Sequence, residues 1–291
     1  MIIKHNYASA ILSAYEYLLE NYKEVFVIGQ GLWSPWYVGN TMQDLDIDYG
    51  KDRIIDTPVS ESACTGAAIG ASLAGMKPIV VHPRMDFMLY AVDSIVNQAA
   101  KWSSMFGAQD SPGFTARMII NRGGEQGAQH SQALQSFFMH VPGIKVVMPA
   151  TPEDAKGLMI GAVYDNNPVM FIDDRWCYET VGDVSEKMDP IPLGKAKIIT
   201  ATNVFAHIEN VNSLMQNILK ILKTDGIFIT ESHYLVSLIK DLQYDTIYHE
   251  HLRYYSLSSL KYLLEKYNLS IFHAKKIPTH GGSIRVYAAR K

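Results

Sequence analysis

Apolar positions along the first two-thirds of the chain switch between two periods. Residues 8–22 repeat at intervals of three and four, the spacing of one helix face, and predict a helix. Val25 to Ile28 is a short β-branched run that stops at Gly29, and Ile54-Ile55 is a second. Residues 62–75 predict a helix of small residues, among them Ala63, Gly66, Ala67, Gly70, Ala71 and Gly75. A helix this thin can lie very close to a neighbouring backbone or to a ligand. Strands are predicted at 78–82, 116–120, 144–148 and 168–172, with helices near 88–102, 132–139 and 152–165. Apolar, β-branched strands alternating with helices predict an α/β fold, a parallel sheet with helices on both faces. Pro149, Pro152 and Pro168 fall at element edges, where a missing N–H is tolerated.

The pattern changes near residue 190. Asp189-Pro190-Ile191-Pro192-Leu193-Gly194 reads as a linker. Beyond it the chain predicts a strand (198–202), a helix (209–223), a strand (226–231), a helix (256–267) and two strands (269–277 and 283–289). The last two are separated by His280-Gly281-Gly282 and form an antiparallel hairpin. Two domains are expected, residues 1–197 and a smaller α/β half-domain at 198–291.

Composition narrows the setting. The chain has 291 residues, of which 48% are hydrophobic and 19% charged, ordinary for a protein with a packed core. A net charge of -3 and the lack of a Lys/Arg run argue against nucleic-acid or anionic-membrane partners. Two cysteines, Cys64 and Cys177, make no disulfide framework and point to a reducing compartment. Met1 to Tyr7 shows no signal-peptide pattern, and no apolar stretch is long enough to span a bilayer. A cytoplasmic setting is expected.

Candidate chemistry begins with Asp56-Thr57-Pro58-Val59-Ser60-Glu61, which ends a strand and opens the thin helix. A carboxylate there lies at the mouth of an α/β sheet, where ligands bind. By position alone Glu61 reads more readily as complementing a helix N-terminus. Its context is Asp86-Phe87, then Asp93-Ser94-Ile95-Val96-Asn97-Gln98-Ala99-Ala100-Lys101, then Gly127-Ala128-Gln129-His130-Ser131-Gln132. Pro142-Gly143-Ile144-Lys145-Val146-Val147-Met148-Pro149 and Thr151-Pro152-Glu153-Asp154-Ala155-Lys156-Gly157-Leu158 complete the series. In order and spacing these segments resemble the beta subunits of pyruvate and branched-chain 2-oxoacid dehydrogenases, over nearly all of 1–197.

The resemblance implies a thiamine-diphosphate pyrimidine-binding fold. It implies that Glu61 hydrogen-bonds a ring nitrogen of the aminopyrimidine and so activates the cofactor, with Met85 and Phe87 beside it. His130 matches a histidine near the substrate end of the site and implies proton transfer or reception of the acyl acceptor; on its own it reads equally as a capping loop histidine. The wall at Val80-Val81-His82-Pro83-Arg84-Met85-Asp86 departs from the family, which usually has larger apolar or aromatic residues where Pro83 and Met85 stand, and His82 and Arg84 bring polar groups to it. An acidic or sugar-linked oxoacid is one reading of that change, and a structural ion pair at Arg84 is the other. Asp165-Asn166-Asn167-Pro168 matches a turn that holds potassium in some relatives, which makes Asp165 and Asn167 candidate ligands; alone it is a turn signal.

The resemblance also implies a missing half. The family clamps the diphosphate and its magnesium with a Gly-Asp-Gly segment and downstream Asn residues, whereas this chain offers only Gly182-Asp183-Val184. An alpha-type partner holding the diphosphate and magnesium is expected, with the beta-type chain as a homodimer inside a hetero-oligomer. Trp33, Trp36, Trp102 and Trp176 are candidate interface anchors or core residues.

From residue 198 the wording changes. Asn203-Val204-Phe205-Ala206-His207-Ile208, Asp245-Thr246-Ile247-Tyr248-His249-Glu250-His251-Leu252 and His280-Gly281-Gly282-Ser283-Ile284-Arg285-Val286-Tyr287 resemble the C-terminal half of S-adenosylmethionine-dependent sugar C-methyltransferases. That resemblance implies that His207, Tyr248, Glu250 and His251 surround a nucleotide sugar and manage a proton next to a carbonyl. His249-Glu250-His251 lacks the i, i+4 spacing of a zinc helix. No glycine-rich strand-loop-helix precedes residue 198 in that family's context, so a pocket for S-adenosylmethionine is not expected. Three functions remain open: a beta-type dehydrogenase or decarboxylase subunit, a methyltransferase remnant that binds a nucleotide sugar, and a non-catalytic fusion that acts as an interaction module.

Overall fold

The computed structural model describes residues 2–34, 37–121 and 126–291. The chain divides into two compact units, Met1–Leu193 and Gly194–Lys291. The division falls a few residues before the expected 197, for a local reason. The Ile191 N–H donates to the Gly157 carbonyl at 2.8 Å, and a side chain at Gly161 would collide with the Ile191 backbone. The linker is therefore packed into the first unit, while Ala196 already pairs with Leu222 in the second sheet.

In the first unit β1 (Ile2–Asn6) leads into α1 (Tyr7–Asn21), β2 (Val25–Gly29), the single turn α2 (Leu45–Asp48), β3 (Ile54–Asp56) and α3 (Glu61–Leu73). Next come β4 (Lys77–His82), α4 (Ala100–Met105), β5 (Thr115–Ile120), α5 (Gln135–Met139), β6 (Lys145–Val147), α6 (Pro152–Tyr164), β7 (Val169–Asp174) and β8 (Val181–Ser185). Six of these strands form one parallel sheet in the order β3-β2-β4-β5-β7-β6. The direction of winding across the sheet reverses between β2 and β4, because β3 is laid on one side and every later strand on the other.

Both faces of the sheet are covered. Ile79, Val81 and Phe171 face Tyr7, Ile11, Leu18, Met159 and Ile160 of α1 and α6. Val80, Met170 and Ile172 face the other way, into Cys64, Ala68, Ile69, Met88 and Ile95. The alternation is the period of two of a strand, with both faces apolar. Each large side chain taken out of water here contributes about 1.5–3 kcal/mol. The helices start where side chains can satisfy free N–H groups: Asn6 accepts from Ser9 N at 2.8 Å, and Thr151 accepts from Asp154 N at 3.1 Å, with Pro152 in the first turn.

Three features depart from the sequence reading. Residues 87–105 do not form one helix but a 3-10 turn (Phe87–Ala91), a π segment (Ser94–Ala99) and α4. The helix expected at 132–139 is confined to Gln135–Met139. Gly182-Asp183-Val184 lies in β8, paired antiparallel with β1. That pair carries little apolar signal because its residues are mostly exposed or half-buried.

In the second unit β9 (Ala196–Thr202), α7 (Val211–Ile221), β10 (Leu222–His233), α8 (Leu235–Lys240), α9 (Leu257–Lys266), β11 (Leu269–Ile277) and β12 (Ser283–Arg290) follow in order. The sheet order is β11-β12-β10-β9, with β9 parallel to β10 and the other pairs antiparallel. One core holds Met215 and Ile218 of α7, Leu260 and Leu264 of α9, and Phe228 and Val286 of the sheet. The β11–β12 connection turns on Gly281 and Gly282, at φ 71° and 116°.

Candidate functional sites

The first site lies at the carboxyl ends of β2 and β4, where the direction of winding across the sheet reverses. Ligands of open α/β sheets bind at such points. Its wall comprises Gly29, Gln30, Thr57, Ser60, Glu61, Cys64, Val81, His82, Pro83, Arg84 and Phe87. Gly29 is required there, because a side chain would strike the Val81 carbonyl. Thr57 N donates to the Gly29 carbonyl at 2.8 Å, and Asp56 Oδ1 accepts from Gly31 N at 2.6 Å. These bonds fix the two strand ends around the start of α3. Glu61 is the first residue of α3 and is half-buried. The fully enclosed space is small, about 10 Å³, room for one water.

The other expected residues scatter more widely. Phe87 lies in the cleft wall with Glu61, and the His130 ring meets it edge-on, centroids 5.0 Å apart. Met85, expected against the cofactor, is instead fully buried core; its Sδ accepts from Leu134 N at 3.4 Å, and it stays outside the cleft wall. His82 is buried, its Nε2 3.2 Å from Thr65 Oγ1, and burial pushes its pKa down to about 4. Trp33 and Trp176 are exposed and Trp102 is half-buried against Phe106. Trp36 lies outside the described residues.

The turn at 165–167 is satisfied without a metal ion. Asp165 Oδ1 accepts from Asn167 N and Nδ2, both at 2.9 Å, and Oδ2 pairs with Lys145 Nζ at 2.6 Å. The Lys145 ammonium supplies the cation for this carboxylate. Among the described residues no group of three or more His, Cys, Asp or Glu is placed to hold a metal.

The second site lies within the second unit, at the ends of β9 and β10. It is a pocket of about 590 Å³ lined by Asn203, Ala206, His207, Ser232, His233, Gln243, Asp245, Thr246, Tyr248, His251 and Gly281. A backbone and a side-chain bond bring its two loops together: Leu252 N donates to the Ala206 carbonyl at 2.8 Å, and Arg253 Nη2 to the Glu209 carbonyl at 2.8 Å. His251 Nδ1 lies 3.0 Å from the Thr246 carbonyl and His207 Nδ1 lies 2.9 Å from the Glu250 carbonyl. A carbonyl only accepts, so both Nδ1 atoms carry the proton and both Nε2 atoms are left as bases in the neutral rings. His251 Nε2 lies 3.1 Å from Tyr248 Oη, and the His207 and His251 rings are 4.9 Å apart. Glu250 enters only through its backbone; its side chain is exposed and outside the pocket wall.

Several wall residues carried no sequence signal of their own. Gln30 and His233 directly follow or end strands, so the rule that ligands meet strand carboxyl ends would have found them. Gln243 and Asp245 lie in an irregular loop and become visible only when it folds over β10.

An all-parallel sheet covered on both faces, with a carboxylate at its reversal point, defines an α/β ligand-binding protein of the open-sheet class. Residues 4–179 match the transketolase, pyrimidine binding domain family, and residues 116–274 match the methyltransferase domain family. The chain therefore belongs to the transketolase pyrimidine-binding family and, through the second match, to the methyltransferase domain family. Within the shared stretch, 116–179, β5, β6 and β7 belong to the six-stranded sheet.

The chain is 47% identical over 148 residues to the acetoin:2,6-dichlorophenolindophenol oxidoreductase subunit beta of Cupriavidus necator, covering 51% of this chain and 44% of that one. It is 40% identical over 176 residues to the pyruvate dehydrogenase E1 component subunit beta of Rickettsia bellii, covering 60% of this chain and 54% of that one. It thus spans about half the length of the curated relatives it matches. A solved split gene transketolase, described as an inactive beta4 tetramer, shares the fold with TM-score 0.52 and 16% identity over 69% of this chain and 63% of that chain.

Proposed function

We propose that the first unit is the pyrimidine-binding half of a thiamine-diphosphate-dependent 2-oxoacid dehydrogenase or decarboxylase, acting as a beta-type subunit. The observation that carries this reading is the position of Glu61: a carboxylate at the first residue of α3, in the wall of the cleft between β2 and β4. The donor set suits an aminopyrimidine. Glu61 meets a ring nitrogen, and Phe87 offers an aromatic face. Thiamine diphosphate, when bound, supplies the electron sink for cleavage next to a carbonyl. Glu61 holds the proton that sets the protonation state of the pyrimidine ring. His130, behind Phe87, is placed to accept or return a proton at the substrate side.

The cavity here is small, and we infer that the cofactor meets this wall at its mouth with a second chain covering it. An alpha-type partner carrying the diphosphate and its magnesium meets that need, with two beta-type chains in the assembly. Co-purification with such a partner, followed by assay of thiamine-dependent decarboxylation, tests the reading. Turnover is expected only with both chains present, and Glu61→Gln is expected to lower it by about 10²–10⁴-fold. Full activity in that variant removes Glu61 from the role.

A second reading concerns the second unit, and its preformed pocket of about 590 Å³ favours it. We propose that His207, Tyr248 and His251 hold a nucleotide sugar there. The size falls within the range of small-molecule sites. Calorimetric titration with a nucleoside-diphosphate sugar tests it, and a flat titration with the wild-type chain removes it.

A further inference from the structure

Arg84 lies just beyond β4 in the wall of the first cleft. It is 7% exposed. A buried guanidinium ordinarily faces a carboxylate, because an unpaired buried charge is costly. Arg117, in the same sheet, obeys that rule: its Nη2 lies 2.7 Å from Asp173 Oδ2. Arg84 does not. Its Nε donates to Gln126 Oε1 at 2.8 Å and its Nη1 to the Pro83 carbonyl at 2.6 Å. Both acceptors are neutral. Among the described residues it has no carboxylate ion pair, and Nη2 donates to nothing.

The surroundings add positive charge. The Arg84 guanidinium carbon lies 5.6 Å from the Tyr37 ring centroid, and Arg175 donates to the Tyr37 carbonyl. Burial and the Arg175 charge both disfavour the Arg84 cation, opposed by Tyr37, Tyr178 and Asp86. Asp86 Oδ1 accepts from Gln132 N and Nε2 at 3.1 and 2.9 Å, while its Oδ2 is buried without a hydrogen-bond partner. A guanidinium stays protonated in proteins, and the Asp86 carboxylate supports that charge without forming an ion pair with it.

We propose that Arg84 is the anion-reading residue of this cleft. Its unpartnered Nη2 edge takes a substrate carboxylate, and Gln126 orients the guanidinium for it. This rests on the functional reading of the cleft given above. It makes the chain selective for carboxylate-bearing 2-oxo compounds over neutral hydroxyketones. The named relatives fall on both sides of that division: acetoin is a neutral hydroxyketone, and pyruvate carries a carboxylate.

The test is equilibrium binding of pyruvate and of acetoin to the purified full chain, without cofactor, by ligand-observed NMR. The wild type is expected to bind pyruvate at least about tenfold more tightly than acetoin, the size of one charge-assisted hydrogen bond. Arg84→Gln is expected to erase the preference without changing acetoin binding, and Arg84→Lys to keep part of it. Gln126→Ala, an exposed position that leaves the core intact, is expected to weaken pyruvate by about threefold, a neutral hydrogen bond's worth. Equal binding of the two ligands, binding of neither, or an unchanged preference in Arg84→Gln overturns the proposal. Failure of the thiamine reading is seen separately, as turnover unaffected by Glu61→Gln, because the anion preference needs no cofactor.

Discussion

The two candidate sites differ in how complete they are within one chain. The second unit's pocket encloses about 590 Å³ and orients two imidazoles through carbonyls of its own loops. The first unit's cleft encloses about 10 Å³ and presents a carboxylate, an aromatic ring and an arginine short of counter-charge at its mouth. A site that is finished alone can be read from its own lining. A cleft with so little internal volume is read from the groups at its edge, here Glu61, Phe87 and Arg84.

The contrast is first one of folding. Asp173 lies fully buried between Arg117 and Tyr178 and anchors β7 to β5. Removing its charge in Asp173→Asn leaves Arg117 unpaired, and a loss of about 3–5 kcal/mol is expected. Urea unfolding followed by probes in each unit measures it. Loss of structure confined to the first unit sharpens the division, and one merged transition for both units breaks it.

Acid should act on the same unit. Burial lowers the pKa of His82 from 6.5 to about 4, so between these values the unfolded chain binds the extra proton. Stability from this group is complete above about pH 6.5 and is lost as pH falls toward 4. The full difference is about 3 kcal/mol. His82→Gln should flatten the pH dependence of unfolding relative to wild type over that window. Parallel curves for the two proteins would show that His82 is not held neutral by burial.

The smallest effect belongs to the second unit. His251→Ala should weaken a nucleoside-diphosphate sugar by about tenfold, the worth of one well-placed hydrogen bond. Calorimetry reads it directly, and unchanged affinity would mean that the pocket binds through other residues.

Much of the first unit was legible because its signals are local. The β-branched runs at Val25–Gly29 and Lys77–His82 fixed two central strands, and strand direction follows once helices separate them. Glu61 was legible for the same reason, since it opens a helix directly after a strand. The β1–β8 pair was not, because its exposed residues carry no apolar period. Met85 misled because residue type does not say which way a loop side chain turns, and here it turns inward to Leu134. Arg84 was visible as an oddity, but its missing carboxylate is a fact about Gln126, Pro83 and Asp86 that only the folded chain brings together. In the second unit His207 and His251 were named from the sequence, whereas Asn203, His233 and Gln243 join them only when β9, β10 and the 243–251 loop converge.

The central claim is that Glu61 activates a shared cofactor from this wall. Its most direct measurement is hydrogen–deuterium exchange at the thiazolium carbon of thiamine diphosphate bound to the full chain with its diphosphate-binding partner. Exchange is expected to be fast in the wild type and slower by about 10²–10⁴-fold in Glu61→Gln with the cofactor still bound. An exchange rate unchanged by that substitution would contradict the account.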